Sequence, residues 1–170
     1  MQIRLSGVVY DSIVDGPGLR AAIFTQGCPH ACPGCHNPLT HDPAGGYLED
    51  TDSILAALDK NPLARGITLT GGEPFEQPAA CLALARGAHA LGKDVWAFSG
   101  YTLERLRAKN DPDTAALLEE LDVLVDGPFI LKERSLDLDF RGSKNQRVLD
   151  MRKTGGGVPV LWQDPWKLSF

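Results

Sequence analysis

The chain has 170 residues and a formal charge of −5 at neutral pH, from 17 basic and 22 acidic residues. This length suits one compact domain and is too short for a closed barrel of eight βα units, which needs about 250 residues. The hydrophobic fraction of 43% argues against a disordered chain, and the acidic balance argues against a general nucleic-acid binder.

The distribution of apolar residues disfavours two further classes of protein. No apolar run approaches the roughly 18 residues that a membrane helix needs. The first residues lack the apolar core and cleavage site of a signal peptide. We therefore expect a cytoplasmic protein that acts without a membrane. We also expect a single domain over residues 1–170, with the motifs in a core at about 15–150 and a tail at 151–170.

The first part of the chain alternates apolar runs with turn-forming residues. Residues 2–10 and 19–25 have the composition of strands, and the Asp-Gly-Pro-Gly sequence at 15–18 predicts a turn between them. Further along, Thr51 or Asp52 is a candidate N-cap for a short amphipathic helix.

The middle of the chain alternates strands with helices of about ten residues. The predicted elements are, in chain order, a strand at 66–70, a helix at 78–91, a strand at 94–98, a helix capped by Thr102, a helix at 115–121 and a strand at 123–125. This alternation predicts βα units and a mostly parallel sheet, in which functional groups gather at the carboxyl ends of the strands. We therefore expect the segments that follow the strands to share one edge of the sheet.

Three of the four cysteines, Cys28, Cys32 and Cys35, lie together in the sequence QGCPHACPGCHN at residues 26–37. Clustered cysteines in a cytoplasmic chain indicate metal or redox chemistry before structural disulfides. The fourth, Cys81, falls on the apolar face of a predicted helix, where we expect a core residue.

A haem site and a redox pair each fit part of this segment. The sequence CPGCH at 32–36 matches the attachment site of a c-type haem, which requires export to an oxidising compartment. The sequence CPGC at 32–35 matches a thioredoxin-like pair. Such a pair does not require Cys28 and opens a helix, whereas Pro38 interrupts the chain soon afterwards.

Two kinds of metal site also fit the three cysteines. Three thiolates with His30, His36 or His41 would complete a tetrahedral zinc site, although structural zinc sites usually take paired ligands from two separated segments. A [4Fe–4S] cluster held by three cysteines would leave one iron open, as in a catalytic metal centre. The spacing of three and then two residues favours the cluster.

Several segments carry a resemblance. The Cys-x3-Cys-x2-Cys pattern and the later Gly-Gly-Glu resemble the radical S-adenosylmethionine (SAM) superfamily. The chain as a whole is similar to a narrower family, the activating proteins of anaerobic ribonucleoside-triphosphate reductase. The segments that carry this similarity are DGPGLR at 15–20, QGCPH at 26–30, GCHNP at 34–38, TLTGGEP at 68–74, DVWAFSGYT at 94–102, DVLVDGPF at 122–129 and RGSKNQR at 141–147.

The resemblance implies a fold and a site. The fold would be a single α/β domain whose mostly parallel sheet curls into a partial, open βα barrel of the radical SAM type. Cys28, Cys32 and Cys35 would bind a [4Fe–4S] cluster, and SAM would bind its open iron; no other catalytic residue is expected. The residues expected to contact SAM are Gly34, Cys35, His36, Gly71, Gly72, Glu73, Ser99 and Asp126.

The resemblance also implies an activity. The protein would cleave SAM reductively and generate a glycyl radical on the large subunit of anaerobic ribonucleoside-triphosphate reductase, with reduced flavodoxin or a similar protein as electron donor. Between Lys132 and Lys153 there are seven basic and four acidic residues, which could steer an acidic donor. For Arg141 and Arg147, contact with the methionyl carboxylate, contact with a partner and an ordinary surface role all stay open.

Three further functions stay open beside this activity. The protein could activate another glycyl-radical enzyme, of the formate-lyase type. It could be a radical enzyme that acts on a small molecule. It could also be a zinc-stabilised binding module without enzymatic activity.

Overall fold

The computed structural model of the chain describes residues 1–165. The last five residues of the predicted tail at 151–170 therefore lie outside the described part. Seven strands form one sheet in residues 1–165: β1 (Gln2–Ser12), β2 (Arg20–Thr25), β3 (Tyr47–Asp50), β4 (Gly66–Gly71), β5 (Asp94–Phe98), β6 (Val123–Asp126) and β7 (Arg147–Asp150).

The sheet has the strand order β3-β1-β2-β4-β5-β6-β7 and is mixed. Its middle strands, β2, β4, β5 and β6, run parallel to one another. Both margins are antiparallel, with β1 and β3 on one side and β7 on the other. A single α/β domain is confirmed, but the expectation of a mostly parallel sheet holds only for the middle. The turn after β1 is too short for the crossover connection that a parallel pair needs.

Five α-helices lie between or after the strands of the described residues: α1 (Thr51–Asp59), α2 (Pro78–Ala90), α3 (Leu103–Arg107), α4 (Pro112–Glu120) and α5 (Met151–Thr154). The predicted cap of α3 is confirmed, since Thr102 accepts from the backbone N–H of Arg105. The predicted cap of α1 is wrong. Asp50 caps this helix, because its extended backbone leaves the carboxylate free to accept from the N–H of Asp52 at 2.9 Å.

The main hydrophobic core lies between one face of the sheet and the helices. Alternate strand residues such as Ile23, Leu69 and Val95 point into it and meet helix residues such as Leu84 and Leu117. Cys81 belongs to this core and is fully buried, as expected from its position on α2. No helix within residues 1–165 is long and apolar enough to cross a bilayer.

The opposite face of the sheet carries a smaller cluster. Trp96 lies at its centre, and the ring of Trp162 packs edge-on against it with a centroid separation of 5.0 Å. The backbone N–H of Trp162 also donates to Val148 on β7 at 2.8 Å. The described part of the tail therefore runs back along the sheet and covers this face.

The parallel strands bring the expected segments to one place. The N–H of Gly72 donates to Thr25 at 2.8 Å, that of Ser99 to Val125 at 2.9 Å and that of Gly127 to Tyr101 at 3.0 Å. We call the edge formed by the carboxyl ends of β2, β4, β5 and β6 the carboxyl edge. The residues that follow these four strands are neighbours there, as the alternation of strands and helices predicted.

Candidate functional site

The first part of the site is the Cys loop, residues 26–37, which follows β2 at the carboxyl edge. Cys28, Cys32 and Cys35 are free thiols and are partly exposed. The start of the loop is fixed by backbone hydrogen bonds from Gly27 to Thr40 at 2.8 Å and from Cys28 to His41 at 3.2 Å. The base of the loop, which includes Cys28, is therefore anchored to the segment at Thr40 and His41.

The end of the Cys loop depends on a glycine. Gly34 has a φ of +75°, which L side chains rarely adopt. A Cβ atom placed there would lie 2.8 Å from Cδ1 of Leu131, so Leu131 packs directly on the loop backbone. Beside it, the ring of His36 contacts that of Phe129 with a centroid separation of 5.4 Å. The segment after β6 thus covers one side of the loop.

The second part of the site is the Gly-Gly-Glu turn after β4. A Cβ atom on Gly71 would lie 2.6 Å from the Cα of Phe24, and one on Gly72 would lie 2.5 Å from the carbonyl oxygen of Gly27. The N–H of Glu73 donates to that same oxygen at 2.8 Å. Both glycines are therefore required for the close approach of this turn to β2 and the Cys loop.

The carboxylate of Glu73 is fully buried and accepts hydrogen bonds from several donors. The hydroxyl of Ser99 lies 3.0 Å from both carboxylate oxygens, and the N–H of Gly100 lies 2.9 Å from Oε2. The N–H of Phe75 donates to Oε1 at 3.1 Å, and Nε2 of His30 lies 2.8 Å from Oε2. A buried carboxylate needs such partners, and here all of them come from the protein.

Asp126 is buried at the end of β6 and has different partners. Oδ2 accepts from the N–H of Leu103 at 2.7 Å, at the start of α3, and Oδ1 accepts from Nε of Arg147 at 2.9 Å. The guanidinium of Arg147 also bonds both oxygens of Glu104, at 3.1 and 2.9 Å. The hydrogen bonds to Arg147 lower the pKa of Glu104 to about 2. Arg147 therefore links β6, β7 and α3.

The structure brings some of the predicted residues together and separates others. Glu73 and Ser99 are in contact, next to the Cys loop. Asp126 belongs to the ion pair with Arg147, while Arg141 donates to the carbonyl of Gln146 at 2.7 Å. A cavity of about 730 Å³ lies elsewhere, between α3, α4 and the residues after β7.

The contact of His30 with Glu73 is the feature of the site that the sequence did not predict. The sequence neighbours of His30 identify it only as one of several potential zinc ligands. Its partner, Glu73, lies 43 residues further along the chain. No local pattern predicts a contact of that kind, because it depends on the packing of two strands.

The donor atoms of the Cys loop fit an iron–sulfur cluster. Thiolates are the ligands that such clusters prefer, and the loop contains three cysteines and no carboxylate. Within the described residues, no three His, Cys, Asp or Glu side chains are gathered closely enough to hold a single metal ion. Burial raises the pKa of Cys28, so binding of a positively charged iron would have to favour its thiolate.

Comparison with known proteins identifies the family. The model of the family described as "4Fe-4S single cluster domain" matches residues 14–149. The anaerobic ribonucleoside-triphosphate reductase-activating protein of Vibrio cholerae is 39% identical over 145 residues, covering 80% of this chain and 90% of that protein. The chain belongs to this family of activating proteins. Relatives with the same name are 38% identical over 148 residues in Salmonella typhimurium (82% and 94% covered) and 32% identical over 143 residues in Enterobacteria phage T4 (79% and 86% covered).

Membership of this family confirms the similarity seen in the sequence motifs. The family match indicates a four-iron cluster, which favours that interpretation of the Cys loop over zinc, haem or a redox pair. All three relatives are named for the reductase, which favours it over a formate-lyase-type enzyme as the protein activated.

Proposed function

We propose that this chain is a radical SAM enzyme that generates a glycyl radical on anaerobic ribonucleoside-triphosphate reductase. The observation that carries the proposal is the 2.8 Å hydrogen bond from the N–H of Glu73 to the carbonyl of Gly27. It holds the Gly-Gly-Glu turn against the residue that precedes Cys28. A ligand of this turn would therefore lie beside a cluster bound by the Cys loop.

Cys28, Cys32 and Cys35 would hold the cluster and leave its fourth iron open to SAM. A reduced cluster held there would supply the electron for reductive cleavage of the sulfonium C–S bond of SAM, so that methionine and 5′-deoxyadenosine would be the products once a hydrogen atom has been taken from a glycine of the reductase. Leu131 and Phe129 pack against the loop at Gly34 and His36. These apolar side chains would limit the access of water to the reacting atoms.

The predicted cofactor contacts divide into two groups. Gly34, Cys35 and His36 lie on the Cys loop, Gly72 packs against its residue Gly27, and Gly71 packs against Phe24 on β2. We propose that these five residues border SAM. The side chains of Glu73, Ser99 and Asp126 are buried and bonded to protein groups. For these three we propose a positioning role, in which they fix the backbone of the carboxyl edge.

We further propose that the sheet forms the partial, open barrel that the resemblance implies. Two features support this. The helices α1, α2 and α4 contribute to the core on one face of the sheet, while the other face carries the Trp96 cluster and the returning tail. An open arrangement suits a substrate that is a loop of a large protein, because the loop can enter from the side.

The electron donor is proposed to be reduced flavodoxin or a similar acidic protein, in the cytoplasm. Four of the seven basic residues between Lys132 and Lys153 already have partners within the protein. Arg147 is paired with Asp126, Arg152 with Asp122 and Lys153 with Asp150, and Arg141 donates to the carbonyl of Gln146. The exposed residues Lys132, Arg134 and Lys144 remain, in the segment that also supplies Leu131. Replacing these three by Gln should slow reduction of the cluster and weaken its salt dependence; unchanged rates would exclude this surface.

The test of the proposed function is electron paramagnetic resonance (EPR) of the anaerobically reconstituted and reduced protein, with and without SAM. We expect a four-iron signal that changes when SAM is added, and a glycyl radical when the reductase is then included. A cluster that does not respond to SAM would contradict the proposal. A response to SAM without a radical on the reductase would contradict only the choice of partner.

A further inference from the structure

We propose that His30 is a positioning residue for this reaction. It fixes the position of the Cys loop relative to the loops after β4 and β5. The inference rests on the proposed function, because it concerns where a bound cluster lies relative to SAM. His30 stands between Cys28 and Cys32, two residues from each. The contacts that hold its side chain therefore hold the stretch of backbone between two of the thiols.

The first contact that fixes His30 is its hydrogen bond with Glu73. Nε2 lies 2.8 Å from Oε2, and this hydrogen bond uses the tautomer in which Nε2 donates to the carboxylate. The carboxylate is fully buried and 15% of the His30 side chain is exposed. The bond is thus protected from water, and its loss would leave a buried acceptor short of a partner.

The same carboxylate is held from the other side by the loop after β5. Ser99 donates to it at 3.0 Å and the N–H of Gly100 at 2.9 Å. Glu73 thus receives donors from three loops of the carboxyl edge: the Cys loop through His30, its own turn through Phe75, and the loop after β5 through Ser99 and Gly100. His30 provides the contribution of the Cys loop to this set.

The second constraint on His30 is steric. Its ring packs edge-on against Tyr101, with a centroid separation of 4.4 Å and an interplanar angle of 70°. A Cβ atom on Gly100 would overlap Cδ2 of the ring. The imidazole therefore fills the space that the glycine leaves and cannot shift towards the loop after β5.

Four variants test this inference. His30→Leu removes the hydrogen bond, and Gly100→Ala displaces the ring while His30 is still present. His30→Gln keeps a donor that can reach Glu73. Tyr101→Phe is the matched control, because it keeps the ring against which His30 packs and removes only the hydroxyl that donates to Glu76 at 2.8 Å.

The readouts are the iron content of the reconstituted protein and the SAM concentration that half-saturates the EPR change of the reduced cluster. In His30→Leu and Gly100→Ala we expect iron near the wild-type level and a half-saturating SAM concentration raised by about 10-fold, because a buried acceptor on Glu73 loses one of its donors. His30→Gln should recover most of the affinity, and Tyr101→Phe should resemble the wild type.

The outcomes separate this inference from the proposed function. A wild-type cluster that ignores SAM would refute the proposed function, and this inference with it. If His30→Leu and Gly100→Ala respond to SAM at the same concentration as the wild type, this inference is overturned and the proposed function is not. Loss of iron from both variants, without recovery in His30→Gln, would overturn it as well, because it would show a general requirement for folding of the loop.

Discussion

The guanidinium of Arg20 donates from Nε to the hydroxyl of Thr68 at 2.8 Å, across two parallel strands and on the face of the sheet away from the helices. The hydroxyl of Thr68 in turn donates to the carbonyl of Asp15 at 2.8 Å. The guanidinium also bonds the carbonyl of Ile67 at 2.8 Å and forms an ion pair with Asp94. Arg20 is fully buried, and this burial lowers its pKa. The motif at residues 15–20 thus has a structural role at the amino ends of β2 and β4.

Replacement of Arg20 by Leu should therefore destabilise the protein without removing the cluster. It leaves Thr68, the Ile67 carbonyl and Asp94 without a shared buried donor, and we expect a loss of about 3 kcal/mol in the free energy of unfolding. Urea unfolding of the cluster-loaded protein under anaerobic conditions measures this loss of stability. Arg65→Leu is the control, because Arg65 bonds the same Asp94 but is 41% exposed, and should cost less than about 1 kcal/mol. Equal losses would contradict the role of burial.

Replacement of the three cysteines in the Cys loop should affect iron binding, whereas replacement of Cys81 should not. Replacement of Cys28, Cys32 or Cys35 by Ala should abolish the iron–sulfur absorbance, since each provides one thiolate of the proposed ligand set. Cys81→Ala should keep full iron content and lose about 1 kcal/mol of stability, because it only leaves a small cavity in the core. Burial raises the pKa of the Cys81 thiol and keeps it protonated. The iron content of each variant after reconstitution tests this prediction. A wild-type iron content in any of the three loop variants would contradict the proposed ligand set.

The contact of Gly34 with Leu131 makes a prediction about the Cys loop. Gly34→Ala introduces a Cβ atom 2.8 Å from Leu131 and forces Ala into a φ of +75°. The backbone strain alone costs about 1–2 kcal/mol, and we expect a lower yield of cluster. The double variant Gly34→Ala with Leu131→Ala should recover part of the yield, since it removes the clash and leaves the strain. No recovery would show that the backbone strain accounts for the whole effect.

The ion pair of Glu104 with Arg147 should contribute to acid sensitivity. The folded pKa of Glu104 is about 2, below the ordinary glutamate value of 4.5, so its stabilising effect is present above about pH 4.5 and is lost as the pH falls towards 2. The effect should stay below about 1 kcal/mol, because 56% of the side chain is exposed.

Urea unfolding of metal-free wild-type and Glu104→Gln protein between pH 6 and 3 measures this difference, with Glu119→Gln as a control on α4. The gap between wild type and Glu104→Gln should shrink as the pH is lowered. A gap that does not change with pH would show that the ion pair does not contribute to stability.

Local sequence determined the middle of the fold and the ligand-bearing loop. The strand at 94–98 and the cap of α3 at Thr102 are confirmed because apolar runs, turn residues and capping side chains act within a few residues of each other. The three clustered cysteines and the order of the motifs along the chain were sufficient to indicate the family. These features need no knowledge of which distant segments meet.

The tertiary structure alone decided the margins of the sheet and the partners of the buried charges. The strands β3 and β7 are short and mostly half-buried, so they lack a clear alternating pattern and form only because β1 and β6 offer unpaired edges. Asp94 lies 74 residues from Arg20, and Glu73 lies 43 residues from His30. Burial of each charged group requires a partner. Which partner it finds depends on strand order, which no local pattern encodes.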